Sequence, residues 1–187
     1  MESEKQPTGI LIDRLPSFNC GECGAEIDAS GTEAFADIEC PQCGHSQKVP
    51  ARLGNFRLLD LLGTGGMGDV YYGQDESLGR YVAIKVMQPS LGEKTELVET
   101  FKREAQAAAK LNHPNIAQIY SFGQEKGQPY IVMELVKGRG LDKLIEEEHP
   151  LDQATVMDIG RQIADGLRTA DEIGLLHGGV KPETVLL

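Results

Sequence analysis

Four cysteines and a lysine behind a glycine-rich loop are the residues whose spacing points to chemistry. Cys20 and Cys23 form one C-x-x-C pair, Cys40 and Cys43 a second, and each pair is followed by a glycine, Gly24 and Gly44. Two thiolates spaced this way reach one ion from a tight turn, and the glycine lets the backbone turn left-handed without a steric penalty. Four sulfurs complete a tetrahedral site with no position open for a substrate, so the ion is expected to be structural Zn²⁺, with iron allowed by the same ligands. A redox pair or two disulfides is the competing reading, disfavoured by the repeated spacing and the paired glycines. His45, next to the fourth cysteine, then reads as a surface residue. Further on, Gly63-Thr64-Gly65-Gly66-Met67-Gly68 can turn its amides toward phosphates. Val70-Tyr71-Tyr72-Gly73 after it reads as a strand rather than the helix of a dinucleotide-binding fold, so the glycines close a hairpin.

The elements around the cysteines are short. Ala25–Asp28 and Ala34–Glu39 read as strands joined by a turn at Ser30-Gly31, which resembles a zinc ribbon. So small a unit has little core, and metal binding would supply much of its folding free energy. Glu22, Glu26, Asp28, Glu33, Asp37 and Glu39 surround the ligands and would repel phosphates, so a protein contact or a structural cap is expected there rather than nucleic acid.

Phe56–Leu62 reads as the strand entering the glycine hairpin, and Arg80–Val86 as a third strand containing Val82-Ala83-Ile84-Lys85. The helix pattern from Glu96 to Asn112 sets Phe101, Ala105, Ala108 and Leu111 on one face and ends before His113-Pro114. Strands follow near 117–122 and 130–135. A short helix is expected at 141–147 and a longer one at 151–173, whose stripe Ile159, Ile163, Leu167 and Ala170 is expected to be exposed for want of covering partners.

The glycine loop and the V-A-I-K segment in this order resemble bacterial serine/threonine protein kinases, from about Leu53 to the end. The resemblance implies an α+β fold: a small lobe of antiparallel sheet plus one helix, to about residue 136, then a partial helical large lobe over 137–187. A zinc ribbon at 17–50 and a flexible N-terminus at 1–16 precede it. The resemblance also implies roles. Gly63, Gly65 and Gly68 would cover the phosphates of ATP, Lys85 would pair with the α- and β-phosphates, and Glu104 would pair with Lys85. Val70 and Ala83 would sandwich the adenine, Met133 would be the gatekeeper, and the backbone of Glu134 and Val136 would bond the adenine edge.

His177–Leu187 resembles the family's catalytic loop, H-R-D-x-K-x-x-N, with His177 and Lys181 kept. Gly179 stands where the catalytic Asp belongs, Gly178 where the Arg belongs and Thr184 where the magnesium-binding Asn belongs. The D-F-G aspartate would lie beyond Leu187, so Gly179→Asp alone is not expected to restore transfer. The implied protein is a pseudokinase or scaffold with weak, magnesium-independent ATP binding. Its alternatives are a truncated part of an active serine/threonine kinase and a zinc-ribbon protein-binding module.

Composition bounds partners and place. The net charge of −11 over 187 residues argues against a nucleic acid or an anionic membrane as partner. No apolar run approaches membrane-spanning length and the N-terminus is polar, so a cytoplasmic protein with a nucleotide and a protein partner is expected.

Overall fold

The computed structural model describes residues 12–92 and 95–187. In chain order the strands are β1 (Asp13–Arg14), β2 (Ser17–Asn19), β3 (Glu26–Asp28), β4 (Asp37–Glu39), β5 (Ser46–Lys48), β6 (Ala51–Leu53), β7 (Phe56–Gly65), β8 (Gly68–Asp75) and β9 (Arg80–Met87). The helices α1 (Pro89–Gly92) and α2 (Thr95–Ala108) lead to β10 (Ile119–Glu125) and β11 (Gln128–Met133), then α3 (Leu141–Glu147) and α4 (Gln153–Asp171). Seven strands form one antiparallel sheet in the order β1-β6-β7-β8-β9-β11-β10. Among the described residues no helix is long and apolar enough to cross a membrane.

Alternation along the strands gives the sheet two working faces. Val82, Ile84 and Val86 of β9 join Leu58 and Tyr71 on one face, all with no exposed surface. Ala83, Lys85 and Met87 point to the other, where α2 lays Phe101 and Ala105 over Met87 and Ile131. A Phe101–Phe122 edge contact at 6.1 Å closes that second core.

The α2 helix stops at Ala108, short of the expected Asn112. Lys110 and Leu111 donate to the carbonyls three residues back, at 3.2 and 3.0 Å, so the last turn tightens before His113-Pro114. The α4 helix begins one residue after Asp152, whose carboxylate accepts from the Ala154 and Thr155 amides at 2.9 and 3.1 Å. Of its expected exposed stripe, Leu167 is exposed, Ile159 and Ile163 are half-buried and Ala170 is buried.

The N-terminal segment departs from the expected layout. β3 and β4 do not pair around Ser30-Gly31. β2 pairs with β3 and β4 with β5, each hairpin closed by its own C-x-x-C turn. A knuckle that returns the chain on itself brings its own flanks together, and that local closure wins over pairing across the longer linker. Residues 1–11 of the stretch expected to be flexible lie outside the described residues. Asp13 and Arg14 of that stretch pair with Arg52 and Ala51, and Lys126 forms an ion pair with Asp13 at 2.5 Å. The cysteine segment therefore leaves the main sheet at β1 and re-enters it at β6.

Candidate functional site

The two knuckles repeat one geometry. Gly24 and Gly44 sit at φ 74° and 71°. Their amides donate to Cys20 and Cys40 carbonyls at 3.0 and 2.9 Å. The Cys20 and Cys43 sulfurs lie 3.7 Å apart, Cys23 and Cys40 3.6 Å, and all four fall within 4.8 Å of one another. Thiolates held tetrahedrally about 2.3 Å from one zinc ion would be roughly 3.8 Å apart, so the donor set fits that ion. The electrostatics fit as well. The Cys23 amide leads the groups that hold Cys20 down to about 6. For Cys43 the His45 amide favours the thiolate, but desolvation and the sulfurs of Cys23, Cys40 and Cys20 push it up to about 12. Four thiolates crowded this closely call for a cation to ionise together. Cys20 and Cys40 are buried, Cys23 and Cys43 face solvent, and His45 is exposed.

The residues expected to face a nucleotide are placed by strand register. β7 and β8 pair down to Gly65 opposite Gly68, leaving Gly66 and Met67 as the turn. Gly68 has φ 156°, and a Cβ there would stand 2.0 Å from the Val86 carbonyl oxygen. Only a glycine lets the hairpin lie this close on β9. Gln88 fastens the tip, its backbone amide donating to the Met67 carbonyl at 3.2 Å and its side-chain amide to the Gly65 carbonyl at 3.3 Å. Sequence reading passes over Gln88, because a polar residue at a strand end carries no signal of its own.

On β9, Lys85 stands opposite Val70, and Ala83 stands opposite both Tyr72 of β8 and Met133 of β11. Val70, Ala83, Lys85 and Met133 thus share the face next to α2. Beyond Met133 the Glu134 amide donates to the Gln118 carbonyl at 2.8 Å, and the Glu134 carboxylate accepts from the Gln118 amide at 3.1 Å. Among the described residues no hydrogen bond takes the Val136 amide, leaving it available to an acceptor.

Glu104 is not brought to Lys85. It is exposed, and no ion pair joins the two among the described residues; the Lys85 ammonium lies 6.0 Å from the centre of the Phe101 ring instead. Phe101 and Ala105 turn inward and so turn Glu104 outward, one residue from the buried stripe.

The loop 177–184 is held by its own atoms. The Gly179 amide donates to Nδ1 of His177 at 3.2 Å. The Thr184 hydroxyl accepts from the Lys181 amide at 3.1 Å and lies 2.8 Å from the Lys181 carbonyl and 3.3 Å from that of Gly179. Its oxygen is committed to shaping the loop. Beyond it Leu187 and Arg139 exchange backbone bonds of 2.9 and 3.2 Å, fastening the loop's exit to the chain just past Val136. Gly179 presents no carboxylate, and nothing lies within 4 Å of where its Cβ would stand.

A glycine hairpin and a lysine strand in one antiparallel sheet, backed by α1 and α2 and followed by a strand-to-helix connection, define the small lobe of a protein-kinase fold. The chain belongs to the protein kinase family: the protein kinase domain matches residues 56–187. It is 37% identical over 134 residues to the serine/threonine-protein kinase PrkC of Bacillus subtilis, covering 72% of this chain and 21% of that protein. It is 33% identical over 181 residues to the serine/threonine-protein kinase Pkn1 of Myxococcus xanthus, covering 90% of this chain and 26% of that protein. The Pkn1 match therefore reaches back through the cysteine pairs. Among solved structures the Mycobacterium tuberculosis PknI kinase domain superposes with a TM-score of 0.64 at 32% identity, over 72% of this chain and 54% of that one. The chain spans about a quarter of the length of these curated relatives.

Proposed function

We propose that this chain is a kinase-family nucleotide-binding protein that holds ATP in its small lobe and does not itself transfer the γ-phosphate. The reading is carried by Gly179, which the resemblance of His177–Leu187 to the family's catalytic loop puts where the catalytic carboxylate is expected. Phosphoryl transfer depends on positioning and charge neutralisation, and a hydrogen atom in place of a carboxylate cannot orient an acceptor hydroxyl. Thr184, its oxygen engaged with Lys181, offers no amide to magnesium, so nucleotide binding would lean on the hairpin amides and on Lys85. Val70, Ala83 and Met133 would bracket the adenine, with the Glu134 carbonyl and the Val136 amide on its edge.

The absent Lys85–Glu104 pair fits the same reading, because without it Lys85 is steered toward the phosphates by no carboxylate. The four cysteines would hold one structural Zn²⁺, and thiols kept this way suit a reducing, cytoplasmic compartment. As a scaffold the chain would present its lobe to a protein partner. A second reading, part of an active serine/threonine kinase, has the matched relatives behind it, since they carry that activity in their names.

Calorimetric titration of the full chain with ATP, with and without magnesium, tests the binding half. Saturable binding that survives magnesium chelation is the expected result, and no heat of binding would remove it. Labelled ATP with a generic protein substrate tests the other half, and transfer of label would replace the first reading by the second.

A further inference from the structure

The β4–β5 hairpin carries the Cys40–Cys43 knuckle at its apex, and its two ends do not hang free. Five residues before Cys40, the ring of Phe35 stacks on Tyr71 of β8, centroids 5.2 Å apart at 30°. Five residues after Cys43, the Lys48 ammonium reaches Asp60 of β7 at 3.6 Å and the Phe35 carbonyl at 3.4 Å. The Phe35 amide donates to the Val49 carbonyl at 2.8 Å, tying the two ends to each other. β7 and β8 are the two arms of the glycine hairpin. The cysteine segment thus touches both arms, Phe35 packing on Tyr71 on the sheet face opposite Lys85 and Lys48 reaching Asp60 on β7.

Two further observations mark the contact as built for position. Phe35 sits at φ 66°, a conformation unfavourable for a bulky side chain that persists only where surroundings over-determine it. Tyr71 is fully buried and lies two residues from Asp69, equally buried, which is the neighbour of Gly68 and pairs with Thr64 across the hairpin. Burial, then the Asp69 carboxylate, pushes the Tyr71 hydroxyl well above its ordinary range. Contacts thus run from the hairpin's base, where Phe35 bonds Val49, to Tyr71, which shares a face of β8 with Asp69 beside the glycine turn.

We infer that Phe35 is a positioning residue of the nucleotide site, by which the β4–β5 knuckle hairpin, with Lys48 as its second arm, sets the glycine hairpin for the phosphates of ATP. The inference rests on the proposed binding of ATP by this lobe. Its signature is selectivity: a displaced glycine hairpin weakens contacts to phosphates and leaves contacts to adenine alone.

The test compares the full, metal-loaded chain with Phe35→Ala, Phe35→Tyr and Lys48→Met, using ATP and adenosine titrations and amide hydrogen exchange over residues 63–70. Phe35→Ala is expected to lose roughly three- to tenfold in ATP affinity, the coupling of one aromatic pair, with adenosine affinity unchanged and exchange faster. Phe35→Tyr should restore both. Lys48→Met, on a half-exposed rim where folding is not at stake, should speed exchange and cost about twofold or less. Equal loss for ATP and adenosine, or unchanged exchange in both Phe35→Ala and Lys48→Met, would overturn the inference. If the unaltered chain binds no ATP, the proposed function fails, and exchange over 63–70, which needs no nucleotide, decides the positioning role by itself.

Discussion

His113 and Asp165 meet at 3.2 Å across the junction between the sheet lobe and α4, Nε2 of the ring against a carboxylate oxygen. The Asn115 amide donates to the other ring nitrogen at 3.1 Å, which assigns the neutral ring's proton to the Nε2 that faces Asp165. Asn115 also donates to Gln162 of α4 at 2.7 Å, and a Cβ on Gly166 would stand 3.2 Å from the Asn115 carbonyl. The loop after α2 is thereby seated on one face of α4, and a small residue there makes the approach possible. His113→Ala is expected to lower the thermal midpoint by a few degrees while leaving nucleotide affinity unchanged, read by calorimetry and ATP titration.

Acid should loosen the fold through its carboxylates. The Ser77 hydroxyl, with the Leu78 and Ser77 amides, holds Asp75 below its usual range, and the Thr155 hydroxyl and amide do the same for Asp152. A carboxyl whose folded pKa is depressed contributes stability above its unfolded pKa and loses it as pH falls through the folded value. Stability to urea should therefore be level near neutrality and fall below about pH 4. Asp152→Ala should lower the neutral plateau and flatten the acid limb, and an unchanged acid limb would count against this account.

Lys85 and Glu104 should respond differently to mutation. Lys85→Met is expected to weaken ATP binding by at least about tenfold, the loss of a charge-assisted phosphate contact. Glu104→Gln should change it by less than about twofold, because an exposed charge with no ion-pair partner contributes little. Equal losses in the two variants would show that the pair forms once nucleotide is bound.

The glycine hairpin offers an internal control. Gly68→Ala drives a Cβ into the Val86 carbonyl, and should cost at least about 1–3 kcal/mol of stability along with ATP affinity. Gly66→Ala meets nothing within 4 Å and should be nearly neutral. Denaturant unfolding of both variants checks the contrast.

Metal content gives a separate number. Protein prepared reduced and without chelator should carry about one zinc per chain, the stoichiometry of a four-sulfur site. Cys40→Ser should lower that content and the thermal midpoint together, since metal binding and folding of so small a segment are linked. Zinc well under one equivalent in the unaltered protein would remove the metal assignment.

The sequence by itself determined the elements whose signals are local. Two C-x-x-C-G repeats gave the knuckles, because a tight turn with a left-handed glycine is specified by adjacent residues. The alternation of Val82, Ala83, Ile84 and Lys85 gave a strand with a lysine on one face, and register then followed from the glycine hairpin. The resemblance of His177–Leu187 to a catalytic loop, with Gly179 at the place expected for the carboxylate, likewise rests on adjacent residues alone. What periodicity reports is that a residue is buried, and it does not report against what. Phe35 reads as one apolar residue in a short strand, yet the tertiary structure places it on Tyr71, thirty-six positions away. The family resemblance implies Glu104 as the partner of Lys85, yet the rotation of α2 on Phe101 and Ala105 turns it to solvent. Likewise β3 and β4 part company because each finds a closer partner across its own knuckle. Such contacts are settled by competition among many similar apolar and charged groups for few places, and only the folded chain decides who wins.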